Sequence, residues 1–353
     1  MRLLSKALSV ARFATVRVTG RPIPVAVRIN LNNRCHSRCQ YCAFWSTPTE
    51  EMATHEVVRI VRDLAKLGTT RISYSGGEPM LRKDLGTIIE ATADAGIGVE
   101  LNSTGFLFDK RKDDLRRLEL VKLSIDGPPD VHDAIRRRKT SFAELEGGIE
   151  VLRELGIKYS FAMTVTKDNL ESVPFVVDFA RRHGTFVAIQ PVMAMTHASD
   201  ETSSLLPDRA RFREMIDSLI ELKRREPGVL RNSLGGLRHV RGWPNIGGLK
   251  CYAGEALVMV EPNGNVVPCD RIPYGEPIPN CREHGIAWAL ERLPKVECEG
   301  CGFCGSVEIN MLMNGRFDVL PAIGHVLSGA RPNGRTPDRL APRRRLPVVD
   351  GEP

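Results

Sequence analysis

Three cysteines stand within one short run, Cys35-His36-Ser37-Arg38-Cys39-Gln40-Tyr41-Cys42. Thiolates this close on a loop can hold three irons of a [4Fe–4S] cubane and leave the fourth without a protein ligand, the open position that catalysis needs. Zinc is the rival. A structural zinc ion takes four ligands, often as paired Cys-x2-Cys units, and His36 lies too close in sequence to close a tetrahedron easily. Unliganded buried cysteine does not explain such a cluster. Six more cysteines fall in residues 251–304 and none in 43–250. The total of nine is odd, and the opening Met-Arg-Leu-Leu-Ser-Lys has no small-residue cleavage site. Two metal regions in one cytoplasmic protein are therefore expected, rather than a disulfide framework.

The elements that must position these residues alternate along the chain. Strand candidates are 25–31, 71–75, 98–102, 121–125, 158–165 and 185–190, each followed by a helical pattern. Residues 51–67 put Val57, Ile60, Val61, Leu64 and Leu67 on one face, and a helix over 142–155 opens with Ser141 and Glu144 at capping-box spacing. Six strand–helix units imply a parallel sheet with right-handed crossovers, either an open doubly wound sheet or a partial barrel. Ligands of such sheets bind at the carboxyl ends of the strands. Four polar segments sit there: the Cys35–Cys42 run, Ser75-Gly76-Gly77-Glu78-Pro79, Asn102-Ser103-Thr104-Gly105 and Ser124-Ile125-Asp126-Gly127-Pro128. Together they describe one lined rim. Beyond residue 230 Gly and Pro rise and helical periodicity fades. Residues 256–267, turning at Asn263-Gly264, read as a β-hairpin in a small metal-supported module.

Cys35, Cys39 and Cys42, with Tyr41 before the last, resemble the signature of radical S-adenosylmethionine (radical SAM) enzymes, and Gly76-Gly77-Glu78-Pro79 resembles that family's second motif. The resemblance spans about residues 22–305 and favours an α/β fold with a partial (β/α)6 TIM-type barrel. It implies a [4Fe–4S] cluster whose unique iron chelates S-adenosylmethionine. The Gly76, Gly77 and Glu78 edge would receive the amino group through backbone carbonyl and the Glu78 carboxylate. Ser124 and Asp126 would serve the ribose or the methionine end, with Asn102 and Ser103 in the same pocket. Arg136 resembles the Arg of a His-Asp-x-x-Arg element that pairs with the carboxylate, although Arg137 stands where the family usually has Gly. Cys251, Cys269, Cys298, Cys301 and Cys304 resemble the SPASM domain and its auxiliary iron–sulfur clusters. One auxiliary cluster is preferred, with Cys251, Cys269, Cys298 and Cys301 the first choice, Cys304 next and Cys281 spare. Asp270 resembles a substrate base in some SPASM enzymes, its plain alternative being a turn residue.

The expected function is reductive cleavage of S-adenosylmethionine to a 5′-deoxyadenosyl radical that takes hydrogen from a peptide, cofactor precursor or lipid. A flavodoxin- or ferredoxin-type donor would supply the electron. The alternatives are a non-enzymatic iron–sulfur electron carrier, which leaves the adenosine-site motifs unexplained, and a zinc-binding nucleic-acid protein. Charge argues against the latter. Of the formal +7, residues 1–21 carry five bases and no acid, and residues 331–353 net +3, so the body nets −1. Aromatic residues are 6% of the chain, few for base stacking. The Arg136-Arg137-Arg138-Lys139 run reads plainly as a solvated helix end.

The expected organisation is a basic amphipathic helix over 1–21, a barrel over 22–235, a small Cys-rich SPASM-like domain over 236–310, an apolar extension over 311–330 and a disordered Pro/Arg-rich tail over 331–353. In the first helix Leu3, Leu4, Ala7, Leu8 and Ala11 share a stripe. Its plain role is docking on the barrel's end; the alternative is weak contact with the inner face of a membrane. No apolar run is long enough for a spanning helix.

Overall fold

A computed structural model of the chain describes residues 2–193, 200–270, 277–298, 300–316 and 319. The expected tail over 331–353 and most of the apolar extension lie outside the described residues. Eight strands form one sheet: β1 Ala26–Asn30, β2 Arg71–Ser75, β3 Gly98–Ser103, β4 Leu120–Ser124, β5 Tyr159–Val165, β6 Val187–Pro191, β7 Leu257–Val260 and β8 Val266–Val267. Their order is β6-β5-β4-β3-β2-β1-β7-β8. The first six are parallel, β7 runs parallel to β1, and β8 returns antiparallel to β7. Side chains from all six of β1–β6 line one cavity of about 400 Å³, so the sheet curls around it without β6 pairing to β1. This is the partial barrel.

Strand alternation explains the curl. Val27 and Ile29 of β1, Ile72 and Tyr74 of β2, and Val121 and Leu123 of β4 are buried in the main apolar core between sheet and helices. The alternate positions face inward and are polar: Arg28, Ser73, Glu100, Asn102, Lys122 and Ser124 all line the cavity. A closed TIM barrel fills this space with branched apolar side chains. Here it is a chamber.

The helices are α1 Arg2–Thr19, α2 Thr54–Leu67, α3 Leu85–Asp94, α4 Pro129–Arg136, α5 Ser141–Glu154, α6 Val173–Arg182, α7 Arg209–Arg225, α8 Leu234–Val240, α9 Cys281–His284, α10 Ile286–Glu291 and α11 Cys304–Met313. Helix α2 buries Val57, Ile60, Val61 and Leu64, as its periodicity requires, and ends at Gly68 in the left-handed conformation. Three expectations fail locally. Only a 3-10 turn, Lys112–Leu115, stands between β3 and β4, because the charged run 109–117 offers too little apolar surface for a helical face. The capping box of α5 is not formed. The Ser141 hydroxyl is buried against His132 Nε2 at 3.0 Å, and Glu144 instead accepts from Arg138 and Thr140. Beyond residue 230 helices do continue, in four short pieces, α8 to α11.

The hairpin expected over 256–267 is β7 and β8, and it extends the barrel sheet beside β1, so residue 235 marks no break in the sheet. Helix α1 docks where the barrel begins. Phe13 and Val16 pack with Val25, Tyr252, Ala256 and Met313. Ser9 Oγ donates to Thr70 Oγ1 at 2.8 Å and Arg12 Nη1 to the Gly68 carbonyl at 2.6 Å. The docked face is therefore Ser9-Arg12-Phe13-Val16. Leu8, from the stripe read in the sequence, stays 42% exposed because the barrel end offers hydrogen-bond partners as well as apolar ones. Phe13→Ala should cost about 3 kcal/mol through the cavity it leaves. Thermal or denaturant unfolding checks this, and an unchanged midpoint would show that α1 does not belong to the folded body.

Candidate functional site

The Cys35–Cys42 loop follows β1 and is held from two sides. Toward β2, Gly77 N–H donates to the Asn32 carbonyl at 2.8 Å, Glu78 N–H to the Arg34 carbonyl at 2.8 Å, and Asn32 Nδ2 returns to the Glu78 carbonyl at 3.1 Å. Toward α4, Arg38 N–H donates to the Arg136 carbonyl and Gln40 N–H to the Ile135 carbonyl, at 3.2 and 3.0 Å. Those acceptors belong to the last turn of α4, whose carbonyls lack helical donors. The glycines are required by contact. A Cβ on Gly77 would lie 2.1 Å from the Arg34 oxygen, and one on Gly76 2.4 Å from the Asn32 oxygen.

Glu78 is fully buried. One carboxylate oxygen accepts from Ser103 Oγ at 2.8 Å and Met80 N–H at 3.2 Å. The other accepts from Thr104 N–H at 3.0 Å and Thr104 Oγ1 at 2.9 Å. Burial pushes this carboxyl up, against the four donors. With both oxygens committed, the geometry does not support the role expected for this carboxylate toward an amino group. Ser103 is likewise turned to Glu78 rather than left for a ligand.

Arg136 is buried, not part of a solvated helix end. Its Nε donates to Asp126 Oδ2 at 2.7 Å and its Nη2 to the Tyr41 hydroxyl at 3.1 Å, while Nη1 has no partner among the described residues. Asp126 is wholly buried and does not line the cavity, so it orients Arg136 rather than reaching a ribose. His132 Nδ1 accepts from Asp126 N–H at 3.1 Å. Burial, helped by Arg136, lowers its pKa to about 2, keeping the ring neutral. Arg137 sits at φ 51°, the left-handed region that glycine adopts without strain. The position that lacks glycine has thus kept its conformation. Arg137 pairs outward with Glu201 and Arg138 with Glu144.

One cavity collects Cys35, Cys39, Tyr41, Cys42, Gly76, Gly77, Glu78, Asn102, Ser103, Ser124 and Arg136. It also receives Cys251, Cys269, Asp270, Cys301 and Cys304 from the C-terminal segment. Cys298 does not line it but neighbours Cys251, whose N–H donates to the Cys298 carbonyl at 3.2 Å. Cys281 is buried in the main core, away from the cavity, and burial pushes its thiol up to about 12. Cys304 Sγ lies 3.3 Å from Gln190 Oε1 on β6. Asp270 Oδ2 accepts from Arg28 Nη1 at 3.2 Å.

The donor set fits an iron–sulfur cluster. Among the described residues no three His, Cys, Asp or Glu side chains converge on a single-ion position, whereas a cubane takes each thiolate on a separate iron. Burial pushes Cys35 up to about 11 and Cys39 up to about 12, so metal ligation is what would draw off their protons. In the same loop, Ser37 Oγ lines the cavity and, like His36 Nδ1, is buried with no hydrogen-bond partner among the described residues.

The sequence reading missed Arg28, Arg71, Glu100, Lys122 and Arg231, which all line the cavity. A signal was present: Arg28, Glu100 and Lys122 are single charges flanked by Val, Ile or Leu in strands that must be covered on their outer face. Lys122 lies 2.5 Å from Glu100 and Arg71 3.5 Å from it. Burial raises the Glu100 pKa, but Lys122, Arg71 and Arg231 outweigh it and hold the group at about 2. Burial lowers Lys122 to about 8.

Gly77→Ala should lower stability by about 1–3 kcal/mol, because the added methyl must displace the backbone entering Cys35. Iron uptake on reconstitution should fall with it. Unfolding midpoint and iron content check this, and a variant with both unchanged would contradict the contact.

A family model described as the radical SAM superfamily matches residues 29–180. Over 155 residues the chain is 30% identical to Fe-coproporphyrin III synthase of Methanosarcina barkeri, covering 42% of this chain and 39% of that protein. The chain thus spans well under half of that relative's length. Over 283 residues it is 25% identical to a PqqA peptide cyclase of Granulibacter bethesdensis, covering 75% of this chain and 73% of the relative. The crystal structure of Streptococcus suis SuiB bound to S-adenosylmethionine superposes with a TM-score of 0.61 at 16% identity, over 79% of this chain and 67% of that one, a likeness of fold. With the cysteine loop, the Gly-Gly edge and the partial barrel assembled on one cavity, the match identifies residues 29–180 as a radical SAM domain.

Proposed function

We propose that the chain binds S-adenosylmethionine at the rim of the barrel and uses the 5′-deoxyadenosyl radical to take hydrogen from a substrate held in the lumen. The observation that carries this is the convergence of Cys35, Cys39, Cys42, Gly76, Gly77 and Arg136 on one cavity. When bound, a [4Fe–4S] cluster supplies the electron that cleaves the sulfonium and an iron that chelates the methionine group.

The chain's own residues do the rest. Cys35, Cys39 and Cys42 hold three irons. The Gly76–Gly77 backbone, kept open by the absence of Cβ atoms, offers carbonyls to the amino group. Arg136 keeps Nη1 for the carboxylate, while Asp126 and Tyr41 fix its other nitrogens. Asn102 and Ser124 line the path of the nucleoside. Four C-terminal cysteines on the same cavity, Cys251, Cys269, Cys301 and Cys304, with Cys298 adjacent, are the ligand pool for one auxiliary cluster. Asp270 lines the same cavity, paired with Arg28, and would be the base that takes a proton from the substrate.

One relative is named for porphyrin chemistry and another for a peptide, and the substrate here belongs to a class still to be assigned. Electron supply by a flavodoxin- or ferredoxin-type protein and weak contact of α1 with an anionic membrane surface belong to the same proposal. No helix among the described residues is long and apolar enough to cross a membrane.

Anaerobically reconstituted, reduced protein should form 5′-deoxyadenosine from S-adenosylmethionine. The triple Cys35/Cys39/Cys42→Ala variant should form none and retain about four irons where the intact protein holds about eight. Chromatography and iron analysis check both. Undiminished 5′-deoxyadenosine from the triple variant would overturn the assignment, and an iron-free triple variant would remove the auxiliary cluster.

A further inference from the structure

Below the rim the lumen carries positive charge in excess. Arg28, Arg71 and Lys122 come from β1, β2 and β4, and Arg231 reaches in from the segment between α7 and α8. Among the described residues lining the cavity these four cations face two carboxylates, Glu100 and Asp270, and the buried Glu308 carboxylate lies near Arg231 behind the wall, so positive charge remains in excess. The other charged groups lining the cavity are settled elsewhere: Arg136 by Asp126, and Glu78 by its four donors. Arg71 meets Glu100 only at 3.5 Å and makes no hydrogen bond, and Arg231 has neither ion pair nor side-chain hydrogen bond, among the described residues. Arg71 and Arg231 are half-buried, and an excess of cations held in a chamber focuses a field that favours a ligand bringing negative charge.

We propose that the substrate carries carboxylate groups and that Arg71, Lys122 and Arg231 seat them on the floor of the lumen. The inference rests on the lumen being the substrate chamber of the proposed enzyme. Glu100, itself a carboxylate, already lies among these cations, so their spacing suits that group, and the planar forks of two arginines match it in pairs. Depth is set by the strands. Glu100 and Lys122 precede the rim residues Asn102 and Ser124 by two positions, and Arg71 precedes Ser75 by four. At the rise of a strand the floor lies about 7–13 Å below the rim. A substrate anchored there by its carboxylates points its far end at the S-adenosylmethionine position, which selects the hydrogen to be removed by distance from the anion.

The test is saturation-transfer NMR on the anaerobically reconstituted protein with S-adenosylmethionine. The probes are glutarate, its uncharged analogue glutaramide and inorganic phosphate. Glutarate should bind saturably, phosphate at least tenfold more weakly and glutaramide not at all. Arg231→Gln should weaken glutarate at least tenfold. Glu100→Gln removes the competing carboxylate and should tighten it severalfold. The opposite signs separate a charge effect from general loosening of the fold, and either variant decides if the other fails to fold. No glutarate binding, equal binding of glutaramide, or an affinity unchanged in a folded variant would overturn the proposal. Phosphate binding tighter than glutarate would overturn the carboxylate assignment. Binding is read without turnover. Protein that binds glutarate but forms no 5′-deoxyadenosine therefore contradicts the proposed function and not this inference, and the converse result does the opposite.

Discussion

The buried carboxylate of Glu78 is the interaction on which the rim depends. Four donors from the 3-10 turn after it, Pro79–Leu81, and from the end of β3 close on its two oxygens. Its backbone meanwhile pairs with Asn32 and Arg34 at the entry to the cysteine loop. One residue thus ties together the segments that leave three adjacent strands. A carboxylate suits this because it accepts only, and every neighbour presented to it can donate. Leaving one such buried donor unmet costs about 1–3 kcal/mol, a large fraction of an ordinary domain's stability.

The second tie crosses the barrel. Arg136 ends α4, and its guanidinium joins Asp126 beyond β4 to Tyr41 in the cysteine loop, while the last carbonyls of α4 accept from that loop's backbone. The ion pair is buried, so removing one partner would strand the other's charge. Both ties consume polar groups that would otherwise be assigned to a ligand. What remains facing the cavity at the rim includes thiols, two glycine peptides, one arginine nitrogen, Asn102 and Ser124, with Ser37 and Ser75 beside them. Beneath them an unusually charged lumen takes the place of the apolar layers that fill closed barrels.

Much of this was legible in the sequence because the physics is local. Val27 and Ile29, Ile72 and Tyr74, and Val57, Ile60, Val61 and Leu64 bury themselves by simple periodicity. The cysteine spacing, the Gly-Gly pair and the Asn263-Gly264 turn also carry their meaning in a few residues. The features that were not legible depend on distant partners. The motif marks Arg136 as a carboxylate partner, but its run of four bases reads as solvated surface, and its burial against Asp126 and Tyr41 appears only in the fold. Ser141 and Glu144 have capping-box spacing, yet His132 and Arg138 claim their side chains. The stripe containing Leu8 is the more hydrophobic face of α1, but the hydrogen bonds of Ser9 and Arg12 help turn another face inward. Arg28, Glu100 and Lys122 become a cluster only once the sheet curls.

The claim that Glu78 is an architectural carboxylate rather than a ligand for S-adenosylmethionine is tested most directly by Glu78→Gln, measured without any ligand. Whichever way the amide is turned, its NH2 meets one backbone donor, Met80 N–H or Thr104 N–H. The account predicts a fall in stability of about 1–3 kcal/mol in the absence of S-adenosylmethionine, read as a lower unfolding midpoint. An unchanged midpoint, with only the affinity for S-adenosylmethionine reduced, would contradict it and return the carboxylate to the ligand.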